Sequence, residues 1–122
     1  MFFIYKMTFD IDVGFETRPK TATLDLFLKK QGYALDKEST KKDCRVYDNV
    51  ENDLPTLFYY PNQNPDENPE WKEEGYNLVS LLNINFSDEM DEAERISRLV
   101  RDKFNGIIYE PSAGEFLRKG EG

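Results

Sequence analysis

The sequence contains no histidine, and this absence removes the commonest general acid or base at neutral pH and the commonest transition-metal ligand. It has one cysteine, Cys44, so an intramolecular disulfide and a stapled secreted scaffold are both excluded, and a tetrahedral zinc site has too few ligands. A Cys44 nucleophile would lack its usual imidazole base, which reads as an inert thiol. The seven glycines are scattered singly, so no glycine-rich loop can cradle a phosphate. Basic residues are in the minority: 16 Lys and Arg stand against 24 Asp and Glu, for a net charge of −8. Such a chain repels polyanions, which argues against nucleic acid and anionic membrane surfaces as partners. Long apolar runs are missing as well. The longest uncharged apolar-rich stretch, Tyr76 to Ser87, holds three Asn and is too short to span a bilayer. The start, Met1-Phe-Phe-Ile-Tyr-Lys6, lacks a basic leading region and meets Asp10 and Asp12 too soon for a signal peptide, and with the unpaired cysteine it points to the cytoplasm.

Aromatics are plentiful. Nine Phe, seven Tyr and one Trp supply large buried area and argue against disorder. The apolar share is 39%, below the roughly 45 to 50% of average domains, so the core is modest. At 122 residues the chain is read as one domain, residues 1–117, with a frayed tail at 118–122.

Periodicity places the elements. Apolar residues at Phe3, Tyr5, Met7, Phe9, Ile11 and Val13 alternate with Lys6, Thr8, Asp10 and Asp12, the pattern of a half-buried strand. A loop over Gly14 to Lys20 precedes a helix capped by Thr21 or Thr23, with Leu24, Phe27 and Leu28 on one face and Gly32 at its end. Tyr33 to Asp36 and Cys44 to Val50 form strand pieces around a charged turn. Thr56 to Tyr60, bracketed by Pro55 and Pro61, suits an edge strand. Tyr76 to Phe86 is apolar on both sides of its alternation, which suits a central strand. Ala93, Ile96, Val100 and Phe104 then mark the clearest helix, with acids in its first turn and the acid-to-base pairs Asp91–Arg95 and Glu94–Arg98. Asn105-Gly106 closes it, and Ile107 to Tyr109 begins a last short strand that turns at Glu110 to Gly114 into Glu115-Phe116-Leu117.

The order β-α-β-β-β-α-β implies an α+β fold: an antiparallel sheet of four to five strands with two helices on one face, a ferredoxin-like or split βαβ variant. The C-terminal unit, a charged amphipathic helix running into Asn105-Gly-Ile-Ile-Tyr-Glu-Pro-Ser-Ala-Gly114, resembles the ending of many small uncharacterised bacterial α+β proteins. Some of these are similar to immunity proteins of contact-dependent toxin systems. The resemblance covers about a fifth of the chain, with Glu110 where Asp is expected. It implies a binding role toward a protein toxin and identifies no active site.

The segment from Asp48 to Glu74 carries eight acids and one base, Lys72, and four of the six prolines. Within it, residues 61–75 read as a long restricted loop, a class that is usually functional or disordered. The only tryptophan, Trp71, lies there among Glu70, Glu73 and Glu74. Two dispositions are open: an exposed anchor ringed by acids, or a ring folded back to pin the loop on the sheet. The candidate partner-binding residues are Trp71, Glu70, Glu73, Glu74, Asp66, Glu67, Tyr59 and Tyr60.

They describe a small acidic binding protein that occludes a basic surface of a protein partner, steered by its charge. Mimicry of nucleic acid is a related reading, for which the charge is too little extended. Residues 10–14 begin like a calcium loop, but Gly14 and Thr21 fall where ligands are required. The catalytic candidates that remain are the Asp10 and Asp12 pair, or Glu110 with Tyr109, and acids on the open side of a strand are ordinarily only solvated. The chain therefore reads as a non-enzyme without cofactor or metal. The alternative is a ligand-sensing or oligomerising domain, with the doubly apolar strand covered by a second copy in a homodimer.

Overall fold

The computed structural model describes residues 7–52 and 54–122, so the expected strand positions Phe3 and Tyr5 lie outside the described residues. Among the described residues, seven strands, β1 Phe9–Phe15, β2 Tyr33–Leu35, β3 Arg45–Asn49, β4 Thr56–Tyr60, β5 Ser80–Phe86, β6 Ile107–Glu110 and β7 Glu115–Leu117, are interspersed with three helices. The helices are α1 Thr21–Lys30, α2 Pro69–Glu73 and α3 Met90–Phe104. The sheet runs β2-β3-β4-β5-β1-β6-β7, with every neighbouring pair antiparallel. The protein is thus α+β, as the element order implies, but its sheet is wider than the four to five strands expected. Two hairpins widen it, β2-β3 at one edge and β6-β7 at the other.

The expected ferredoxin-like plan holds only in part. Since β5 and β6 each pair antiparallel with β1, they run parallel to each other around it, and α3 joins them as a split β-α-β unit. The first crossover differs: β1 and β2, joined by α1, are separated in the sheet by β5, β4 and β3. A further correction concerns β4. Pro55 and Pro61 fall just outside Thr56–Tyr60, so they interrupt no ladder bond, and β4 pairs on both sides, with β3 and with β5.

One face carries the main core. Ile11, Val13 and Phe15 of β1, Leu82 and Ile84 of β5, and Tyr47, Leu57 and Tyr59 meet Leu24 and Leu28 of α1 and Ala93, Ile96 and Val100 of α3. Edge-to-face packing of Phe27 on Phe104, with centroids 5.5 Å apart, joins the two helices. Polar ties cross the same layer. Asp25 of α1 accepts from Arg45 Nη2 at 2.5 Å and from the Tyr47 hydroxyl, and Glu92 of α3 accepts from the Tyr33 hydroxyl at 2.7 Å. Burial and the facing carboxylates raise the pKa of both tyrosines.

Helix ends follow local chemistry with two departures. Neither Thr21 nor Thr23 caps α1, whose N-cap is Lys20 without a side-chain bond. Arg95 pairs with Glu92 at 2.6 Å rather than with Asp91, while the Glu94–Arg98 pair forms at 3.5 Å. Asn105 stops α3 in the left-handed region at φ 54°.

Candidate functional site

The second sheet face owes its cover to the acidic segment. Instead of a 15-residue loop, residues 61–75 contain a 3-10 turn, Pro65–Glu67, and the short α2. Both start at an Asn-Pro step, which puts proline in the first turn, where its missing N–H costs nothing. The Asn64 side chain accepts from Asp66 N at 3.0 Å. That repeated Asn-Pro was the sequence signal for these helical turns.

Trp71 is buried, at 4% exposure. This settles the disposition of the ring, and the exposed anchor is corrected: Trp71 folds back onto the sheet. Its seat is Gly14, at which any Cβ would lie 2.4 Å from Trp71 Cη2. The ring packs edge-on to Phe116 at 4.9 Å, Tyr109 at 5.7 Å and Tyr76 at 6.1 Å, and clusters with Leu78 and Ile107. Of the doubly apolar stretch Leu78 to Phe86, read as a surface for a second copy, Leu78 and Leu81 are packed in the Trp71 cluster by this segment. Backbone bonds anchor the segment where it leaves and rejoins the sheet: Gln63 N donates to Val79 O at 2.9 Å, and Val79 N to Phe15 O at 2.9 Å. Glu16 Oε2 accepts from Asn77 N at 3.0 Å.

With the ring turned inward, the acids turn outward. Asp66, Glu67, Glu70, Glu73 and Glu74 are all exposed on this fixed projection. Lys72 neutralises only Asp66, at 2.8 Å, and that pairing lowers the Asp66 pKa. Tyr59 does not join them. It is fully buried in the helix-side core, with its ring 6.4 Å from Phe15, so it offers no contact area, and this expectation is also corrected. Tyr60, half-buried, points to the second face, where Cys44, Asp12 and Asp10 raise its pKa together with burial as the largest cause.

Beyond the Trp71 seat, the described residues leave this face open along β1 and β5. Asp10 faces Asn85 across the ladder, and Asp12 faces Asn83. Asn83 Nδ2 donates to Asp12 Oδ1 at 2.8 Å and to Asp10 Oδ1 at 3.2 Å, while Asn85 Nδ2 donates to Asp10 Oδ1 at 3.1 Å. Burial pushes the Asp12 carboxyl up to about 6, with the Asn83 amide opposing and the Asp10 charge adding. The Asp pair that the sequence offered as a catalytic candidate thus sits in an amide-bonded row on one sheet face. Glu110 pairs with Glu115 at the β6-β7 edge.

A cleft of about 300 Å³ beside α1 and α3 is lined by Gln31, Asn49, Glu92 and Arg95 among others. Two of its charges are spent on each other, since Arg95 holds Glu92 at 2.6 and 2.8 Å, and it also donates to Gln31 Oε1 at 3.0 Å. No helix among the described residues is long and apolar enough to cross a membrane. No family model, curated protein or solved structure matches this chain.

Proposed function

We propose that this chain is a small, non-catalytic binding protein that occludes a basic surface of a protein partner, in the manner of the immunity-like proteins its C-terminal unit resembles. The observation that carries this reading is the inward Trp71, which turns a proline-rich acidic segment into a fixed projection with five exposed carboxylates. Preorganised charge of one sign raises the encounter rate with an oppositely charged partner and lowers the ordering cost of docking. Trp71 acts here as a support for the acids, not as a contact. The absence of histidine from the sequence favours binding over catalysis.

The test is capture from lysate of the source organism, identification of the basic protein retained, and titration of that purified protein with wild type and with the Glu70→Lys, Glu73→Lys, Glu74→Lys variant. Affinity should fall by at least about tenfold in the variant, corresponding to about 1.4 kcal/mol. Equal affinities for both would overturn the reading.

A further inference from the structure

Alongside the projection, the sheet face itself is built for a cation. Among the described residues, those that the strands direct to this face, by their register, include Asp10, Asp12 and Asp48 and no lysine or arginine. The Asn83 and Asn85 amides fix the Asp10 and Asp12 carboxylates side by side through Oδ1 atoms alone, leaving both Oδ2 atoms outside that network. Two like charges are thus held close together, and the basic group at the Trp71 cluster, Arg118, lies over the Tyr76 ring.

Aromatic rings flank the row. Tyr109 is directly opposite Asp12 on β6, and Phe58 is directly opposite Asn83 on β4, with Tyr60 two residues further along. Carboxylates beside aromatic residues match a guanidinium, which pairs with an acid through its edge and lies on aromatic faces through its plane. Arginine is also the charged side chain most favoured at protein interfaces. The row is continuous with the acidic projection, since Gly14, the seat of Trp71, follows Asp12 on the same face of β1.

We propose that the face formed by Asp10, Asp12, Asn83 and Asn85 receives an arginine side chain of the basic protein partner, between Tyr60 and Tyr109. The inference rests on the binding role proposed above and names where and by what chemistry the partner lands. A second copy of this chain is the wrong occupant, because two protomers at −8 would bring like charges together. Nucleic acid fails for the same reason.

The test uses the full chain labelled with nitrogen-15 and a synthetic peptide of alternating arginine and serine as the probe. The expected result is a saturable shift of the Asn83 and Asn85 side-chain amide resonances. In the nearly isosteric Asp10→Asn, Asp12→Asn variant, the dissociation constant should rise by at least about tenfold. Asp12→Asn alone is the milder variant, expected to weaken binding in the same direction. The Glu70→Lys, Glu73→Lys, Glu74→Lys variant should bind the peptide more weakly yet shift the same two amides. Shifts confined to residues 66–74, or an unchanged dissociation constant in the Asp→Asn variants, would overturn this inference and leave the binding role standing. No saturable binding by any form would overturn both.

Discussion

Replacing Gly14 with alanine tests how the acidic segment is held. A Cβ at this position would lie 2.4 Å and 2.6 Å from Trp71 Cη2 and Cζ3, and 2.6 Å from Leu78 Cδ1. Carbon atoms pack best at about 3.5 to 4.0 Å, so something must move by more than 1 Å. The strand cannot yield, because Gly14 is paired with Leu81 on one side and Ile107 on the other. Leu78 Cδ1 ends a rotatable side chain and can turn away. The Trp71 ring, boxed by Tyr76, Tyr109 and Phe116, must leave its seat. The cost lies between that of overpacking, about 1 to 3 kcal/mol, and that of losing a buried Trp, about 3 to 5 kcal/mol. We expect about 3 kcal/mol for Gly14→Ala, within the stability of a typical domain.

The clash is chiefly with the ring, so Gly14→Ala should cost less than about 1 kcal/mol once Trp71 is already alanine, a coupling of about 2 kcal/mol. Urea denaturation of the four proteins measures the cycle. Trp71 is the only tryptophan, so its emission reports the seat directly and should shift to the red in Gly14→Ala. Additive costs, or unchanged emission, would refute the packing argument.

Asp12 makes a pH prediction. Its carboxyl, pushed up to about 6 against an ordinary 3.8, keeps its proton in the fold where the unfolded chain has lost it. The resulting stability is present in full below the unfolded value and is lost as pH rises through about 6. Asp10, Tyr60 and Tyr109 are the titratable neighbours on this face. Between pH 5 and pH 8, Asp12→Asn should therefore gain about 1 kcal/mol relative to wild type in urea unfolding, and parallel profiles would contradict the assignment. Asp25→Ala leaves the buried Tyr47 hydroxyl and Arg45 without their acceptor, and should cost about 1 to 3 kcal/mol by the same assay. A cost under about 0.5 kcal/mol would show that these bonds are replaced by water. Light scattering at low salt should give a monomer mass of 14.3 kDa, and a dimer would mean that a second copy covers the face.

Much of the fold was legible because burial repeats locally. The alternation through Val13, the stripe Ala93-Ile96-Val100-Phe104 and the stop at Asn105-Gly106 each reflect one element meeting one face. The strand count was less legible. β2 and β7 have three residues each, too few for a period, and exist through their hairpin partners. The position of β4 was misread because prolines bracket an interior strand as readily as an edge. Trp71 was undecidable locally: the acids around it favour exposure, while its seat is a glycine on a distant strand. Tyr59 and Tyr60 are adjacent in sequence and point to opposite faces, so only one of them can join the surface. The Asp10, Asp12, Asn83 and Asn85 row needed the β1-β5 register, which no single segment encodes.

The most direct test of the central claim, that an acidic surface steers and holds a basic protein, is the association rate of the captured partner at increasing ionic strength. It can be followed by stopped flow with a fluorophore attached to the partner. The account predicts a rate that falls steeply as salt shortens the reach of the charges, and a much flatter dependence for the Glu70→Lys, Glu73→Lys, Glu74→Lys variant. A rate indifferent to salt, identical in the two proteins, would contradict it.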